Sequence, residues 1–278
     1  MSHRHTIAKP VAVQGIALHA GVAVHMRLLP APAGSGIVFR RTDLGVEIPA
    51  HYDLVGETRL GTVLEQGGAR VGVVEHLLAA CAGNAIDDLV IELDGPEPPI
   101  LDGDSLSYLV LLQDRVTQDM PRTAIKVRKP VTVRQGDATA TLLPADVPSF
   151  FYVLDYAVIG RQEMDFTFSR DGFRQMIAPA RTFGFLKELE GLNRMKLALG
   201  ANLDNTLALD ESGVVNKDRQ RFADEFVRHK ILDAIGDMAL AGAPLLARFE
   251  GRKSGHGTNN ALLRALFADP ANYERAEI

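Results

Sequence analysis

The sequence predicts an α+β protein built from two similar halves, each a sheet with helices packed on one face. Three observations lead there. Strand-like runs rich in β-branched residues, broken by Gly and Pro, open each half; helical periodicity of 3.6 residues follows in each; and the strand pattern restarts around "TQDMPRTAIKVRK", near residues 118 to 124. We therefore place an N-terminal domain at 1–120 and a C-terminal domain at 124–278. A chain of 278 residues with 46% hydrophobic content can fill the two cores.

In the first half, "TIAKPVAVQGIAL", "AVHMRLLPA" and "GIVFRR" predict strands between turn signals. "VEHLLAACAG" predicts a helix ended by Gly83, "DDLVIEL" a strand, and "SLSYLVLLQDR" a helix capped by Asp104 or Ser105. In the second half, "IKVRKPVTVRQ", "ATATLLPA" and "SFFYVLDY" predict strands, followed by the helices "EFVRHKILDAIGDMAL" and "NNALLRALFAD", the second with Thr258 and Asn259 as caps. Between them, in 179–210, Leu186, Leu189, Leu192 and Met195 line one helical face between two strand-like pieces, which predicts a small βαβ insertion.

Composition excludes several functions. A net charge of -5 argues against a nucleic-acid partner, so an anionic ligand must be met by a local basic patch. The single cysteine, Cys81, rules out internal disulfides and a thiolate-rich zinc site, so any metal here is held by His and carboxylate. The start has no apolar signal region, and no segment supplies the ~20 apolar residues of a membrane span; a cytoplasmic protein is expected.

Three groups could carry chemistry. Steps of four in a helix put His229 and Asp233 within reach of one point, with Asp237 one turn later. That geometry suits a metal ion, although an isolated pair at this spacing is more often a helix-surface contact. Glu75–His76 sets a carboxylate beside a ligand-capable imidazole, but HExxH and HxxEH both fail, because position 79 is Ala and position 72 is Gly; the bland alternative is a polar pair on an amphipathic helix. His256 lies between two glycines after Arg252 and Lys253, where it could approach a substrate or simply be a solvated turn residue. Of the other histidines, His3 and His5 lie in a terminus expected to fray, His25 alternates within a strand, His51 precedes a loop, and His19 is expected at the surface.

Taken together and in order, "VVEHLLAA", "ARTFGF", "FVRHKILDAIGD" and "KSGHGTNN" closely resemble the zinc-dependent UDP-3-O-acyl-N-acetylglucosamine deacetylases of lipid A biosynthesis. The likeness continues through "GIALHAGVAV", "LLPAPAGSGIVFRRTDL" and "IDDLVIELDGPEPPILDGDS" and so covers nearly the whole chain. It implies two α+β sandwiches facing each other, each with a small insertion and the site in the cleft between them.

The resemblance further implies one zinc ion per chain on His76, His229 and Asp233, with a fourth position open as in catalytic zinc sites. Glu75 becomes the base for the attacking water. His256 either protonates the leaving amine or stabilises the oxyanion as an imidazolium, with Asp237 favouring its charged form. Thr182 donates to the oxyanion, and Lys230 with Lys253 meets the diphosphate. Tyr156 stacks on uracil, and Phe183 is a further substrate contact. The insertion, about 184–210, lines an acyl passage with Leu186, Leu189, Ala201 and Leu203, where the polar Asn202 and Thr206 are out of place. Gly61 stands where that family often carries cysteine.

The leading expectation is a zinc amidohydrolase that releases acetate from the UDP-linked acyl sugar. It is expected to be a monomer that touches the inner membrane surface only through its lipidic substrate. A catalytically silent nucleotide-sugar binder on the same scaffold is the alternative, and a zinc hydrolase of another substrate the third. The complete set of Glu75, His76, His229, Asp233 and His256 counts against the silent binder.

Overall fold

The computed structural model describes residues 2–278. In the first half, the strand Ala23–Pro30 buries Val24, Met26 and Leu28 on one face and turns the intervening residues outward, and Leu89–Leu93 buries its odd positions in the same way. These two strands form the middle of a five-stranded sheet ordered Val11–Ile16, Ala23–Pro30, Leu89–Leu93, Ile37–Arg41, Val46–Pro49. Its only parallel pairing, Ile37–Arg41 with Leu89–Leu93, demands a long crossover, and that crossover carries the first helix.

That helix, α1 (Glu75–Gly83), is buried on nearly every side, as expected for a helix between two layers rather than on a surface. Helix α2 (Leu106–Leu111) is tied to it twice: Ser105 Oγ donates to the His76 carbonyl (2.8 Å) and Asn84 Nδ2 to the Leu109 carbonyl (2.8 Å). Asp104 caps α2 by accepting from Ser107 N at 3.0 Å, which frees the Ser105 hydroxyl for α1.

The second half centres on the strand Leu245–Arg252, antiparallel to Ala138–Pro144 and parallel to both Ser149–Tyr156 and Thr123–Val127. Val131–Gln135, Gly160–Thr167 and Tyr273–Glu277 complete seven strands. Gly160–Thr167 was not foreseen from the sequence. It is a largely exposed edge strand whose charges, Arg161, Glu163 and Asp165, hide its alternation and guard the open edge. After it come α3 (Arg170–Gly172, a single turn), α4 (Leu186–Arg194), α5 (Glu225–Ala239) and α6 (His256–Ala268).

Helices α5 and α6 pack on the seven-stranded sheet, and α5 also packs on α1. The layers therefore run sheet, helices, helices, sheet, with one apolar cluster through them all. The insertion is the expected βαβ unit: Phe183–Phe185 lies parallel to Leu207–Asp210, α4 crosses between them, and Gly213–Val214 completes a three-stranded sheet. No helix among the described residues is long and apolar enough to cross a membrane.

Two expectations are corrected. The "SLSYLVLLQDR" helix stops at Leu111, and Arg115–Pro121 is a strand. The chain start does not fray either: His3–Ile7 pairs antiparallel with that strand, setting His5 opposite Thr117 and Thr6 opposite Val116. The β-branched Val116 and Thr117 favour the pleated partner over another helical turn.

Helices α1 and α5 meet backbone to backbone. A Cβ at Gly236 would collide with the carbonyl of Glu75, so only glycine permits the crossing at this depth. Helix propensity alone favours Ala over Gly by about 1 kcal/mol. We predict the opposite outcome for Gly236→Ala, because overpacking costs about 1–3 kcal/mol: its melting temperature, followed by circular dichroism, falls. A rise would mean that the helices do not touch there.

Candidate active site and metal centre

The α1–α5 contact brings together side chains from both halves. On α5, one turn apart, His229 Nε2 lies 3.3 Å from Asp233 Oδ1. From the second position of α1, His76 Nε2 lies 3.7 Å from the same oxygen. All three residues are buried, and one ligand-capable atom from each falls within 4.8 Å of the other two.

The donor set fits a divalent cation. His229 Nδ1 lies 3.1 Å from the Ala180 carbonyl, which can only accept, so the proton sits on Nδ1 and Nε2 presents a lone pair. Burial, reinforced by His229, pushes His76 down to about 3, and burial lowers His229 as well. Burial alone would raise Asp233, but His229, Lys230 and His256 hold it ionised, well below the usual carboxylate range. Its Oδ1 is nevertheless buried without a hydrogen-bond partner. Lone pairs converging on a dry point with no proton between them are costly unless a cation satisfies them.

Beside this cluster lies an acid–base pair. Glu75, the first residue of α1, is 2% exposed; its Oε2 accepts from Thr62 N at 2.9 Å, and its Oε1 lies 3.7 Å from His256 Nε2. Burial lifts its carboxyl to about 7, although His256 pulls the other way. Burial also opposes charge on His256, but Asp237 and Glu75 together raise it to about 9. His256 Nδ1 donates to Asp237 Oδ2 at 2.9 Å. Asp237 accepts twice more, from Asn259 Nδ2 (2.9 Å) and from Thr62 Oγ1 (2.6 Å).

Local backbone explains these positions. Val73 holds φ 54°, a left-handed conformation rare for a β-branched residue and costing about 1–3 kcal/mol, and it delivers the chain into α1 so that Glu75 and His76 open the helix. Gly61 passes close by: a Cβ there would stand 3.0 Å from Glu75 Oε1. Helix α6 begins at His256 with Gly255 as its cap, so Thr258 and Asn259, expected as caps, lie inside the first turn. There Asn259 serves Asp237, and Thr258 donates to Gln135 at 2.9 Å. The Tyr152 hydroxyl holds the Ser254 carbonyl just before the helix.

The "ARTFGF" segment is pinned by a buried ion pair that sequence reasoning missed. Glu225, in the first turn of α5, accepts from Arg181 N (3.0 Å) and Arg181 Nε (3.1 Å), one turn before His229. That pairing holds the Ala180 carbonyl against His229. Thr182 follows, its N–H donating to the Gly103 carbonyl at 2.8 Å and its carbonyl accepting from Leu207 N at 2.9 Å. Phe183 packs edge-on against Phe226 (5.0 Å) and lies edge-on to the His229 ring at 6.1 Å.

The remaining candidates are more spread out. Lys230 donates to Asp233 Oδ2 at 2.7 Å, and that carboxylate keeps it charged against burial. Lys253 is more than half exposed, 3.6 Å from Asp137. Tyr156 lies edge-on to Phe183 and Phe185, at 6.2 and 5.6 Å. On the insertion Leu186 and Leu203 are exposed by 41% and 50%, a high figure for leucines, while Leu189 is half-buried. Ala201 packs against Leu18, Val73 and Ile100, so the insertion reaches back to the head of α1. Asn202, Asn205 and Thr206 spend their polar groups on one another and on the turn they form. His19, expected at the surface, is half-buried: its ring bridges the Leu60 carbonyl (3.1 Å) and Ala198 N (3.3 Å).

Comparison with known proteins places this geometry. The family model for UDP-3-O-acyl N-acetylglycosamine deacetylase matches residues 4–268, so every residue of the cluster falls within the match. The UDP-3-O-acyl-N-acetylglucosamine deacetylase of Myxococcus xanthus is 45% identical over 278 residues, spanning 98% of this chain and 88% of that protein. The enzymes of that name from Wolinella succinogenes and Xanthomonas campestris pv. campestris are each 43% identical, spanning 97% and 99% of this chain and 92% and 93% of their own lengths.

Thr62 joins Glu75 from one half to Asp237 from the other. Removing its hydroxyl leaves a buried carboxylate oxygen unsatisfied, which costs about 1–3 kcal/mol. Urea unfolding should therefore show Thr62→Val destabilised by that amount and Thr62→Ser close to the parent. Equal stability of the two variants would remove the hydroxyl from this account.

Proposed function

The chain belongs to the UDP-3-O-acyl N-acetylglycosamine deacetylase family, and from that premise we propose that it hydrolyses the acetamide of UDP-3-O-acyl-N-acetylglucosamine to the free amine and acetate, the committed step of lipid A biosynthesis. The observation that carries this reading is the convergence of His76, His229 and Asp233, with an unpartnered ligand oxygen, beside the Glu75–His256–Asp237 relay. One zinc ion per chain is the metal we assign to the three ligands. When bound, it supplies Lewis acidity that polarises the acetamide carbonyl and acidifies water.

The side chains do the rest. With Oε2 tied to Thr62 N, Glu75 presents Oε1 as the base that accepts a proton from the attacking water. His256, its Nδ1 committed to Asp237, holds a second proton on Nε2 and delivers it to the nitrogen as the C–N bond breaks. Thr182 donates to the oxyanion; one such donor is worth about 3 kcal/mol. A silent binder has no use for this relay.

Lys230 and Lys253 supply the positive charge for the diphosphate, and Tyr156 and Phe183 supply aromatic faces for the uridine end. Leu186, Leu189, Ala201 and Leu203 bury the acyl chain, at about 0.8 kcal/mol per methylene, which selects acylated over unacylated substrate. We place the protein in the cytoplasm as a monomer that meets the membrane surface only through its substrate, and divide it into domains at 1–120 and 124–278.

Chelator-stripped protein should release no acetate from the acylated substrate until one equivalent of zinc is added, and His76→Ala should fail to retain that zinc by metal analysis. Zinc retention without acetate release across several acyl lengths would sink the assignment. The pH profile of kcat/KM has a predictable shape. Activity rises as Glu75 ionises through about 7 and falls as His256 loses its proton through about 9. Asp237→Asn removes the anion that raises His256, so the alkaline limb should move to lower pH; a limb that stays put would dissociate it from this pair.

A further inference from the structure

A second cavity, of about 490 Å³, opens between the two halves, and none of the catalytic or substrate-contacting residues named above lines it. Its size falls within the ~300–1,000 Å³ of small-molecule sites. The walls are apolar and come from both halves, with Ile37, Ala82 and Ile86 from the first and Phe150, Phe168, Ile235 and Met238 from the second. The polar side chains that line it are Arg122, Arg170, Asp87, His51 and Ser35.

Arg122, Arg170 and Asp87 form an electropositive group. Asp87 is already engaged, accepting from Arg122 Nε at 2.8 Å and from His5 N at 3.0 Å. Arg170 is exposed and, among the described residues, has no carboxylate within ion-pair distance. Arg115 adds to the field: burial and the charges of Arg170 and Arg122 lower its guanidinium, with Asp87 the one opposing carboxylate. Burial and Arg115 likewise disfavour a proton on His5, whose Nδ1 is buried without a hydrogen-bond partner. The guanidinium groups of Arg115, Arg122 and Arg170 thus share one carboxylate side chain, Asp87, beside a greasy space.

We propose that this cavity binds a single-chain fatty carboxylate, its acyl chain lying along Phe150, Phe168, Ile235 and Met238 and its head group meeting Arg170 and Arg122. One charged end and an otherwise apolar lining select an amphiphile over a polar metabolite, and a carboxylate is a group that a guanidinium grips in bidentate fashion. The site is separate from the acyl passage on the insertion, and the inference does not rest on the deacetylase reading.

Calorimetric titration of laurate, below its micellar concentration, into the full chain tests this. One equivalent should bind in this cavity, apart from laurate that enters the acyl passage. Arg170→Glu should weaken binding about tenfold or more, Ala239→Phe should block it by filling the cavity, and decanol, of similar length but neutral, should bind more weakly. Leu186→Asp on the insertion should leave it unchanged. The proposal is overturned if laurate does not bind, if Arg170→Glu binds it as tightly as the parent, or if Leu186→Asp abolishes binding, which would assign the laurate to the insertion. Arg170 is exposed, so that variant decides the matter even if Ala239→Phe does not fold.

Discussion

The backbone contact between α1 and α5 at Gly236 is the constraint on which the site depends. Because α5 approaches the Glu75 carbonyl with no side chain in between, His76 comes within reach of the oxygen that His229 also faces. A separation wider by one methyl group would still permit two packed halves, but the ligand atoms would no longer share one point. Neither half holds a complete site, and the seam between them is where chemistry becomes possible.

That seam buries an unusual amount of charge, and the structure compensates each group separately. Asp233 is balanced by Lys230 from the preceding turn, Asp237 by three donors, and Glu225 by Arg181. Uncompensated, any of these carboxylates would take up a proton or unfold the seam. Asp233 Oδ1 has no hydrogen-bond partner, and neither have His76 Nδ1 and Asn259 Oδ1 nearby, but of these only Asp233 Oδ1 faces Nε2 of both His76 and His229. The left-handed Val73 adds stored strain at the same place, held by packing from Leu18, Ile100 and Ala201 of the insertion.

The exposed leucines of the insertion and the cavity between the halves are two apolar spaces with different electrostatics. Near the first, Lys230 is already paired with Asp233; the second opens beside Arg170, which has no partner among the described residues. Apolar surface left uncovered near a site usually has an occupant, and these two settings suit different head groups.

Much of this was legible in the chain. Alternation in "AVHMRLLPA" and helical spacing in "EFVRHKILDAIGDMAL" determined strand and helix, because these periods follow from backbone geometry alone, and the same spacing set His229, Asp233 and Asp237 along one helix. The βαβ insertion followed from apolar spacing between strand-like flanks. Illegible were Gly160–Thr167, whose charged edge masks its period, and the pairing of His3–Ile7 with Arg115–Pro121, which depends on residues over a hundred positions apart. Also hidden were Thr62, Asn259 and the Arg181–Glu225 pair, since no local pattern announces a hydrogen bond whose partner arrives from a distant element. The sequence by itself determined which side chains could carry the chemistry. Only the tertiary structure decided that His76 meets His229 and Asp233 and that Glu75 lies beside His256, because those distances are set by how closely two helices cross.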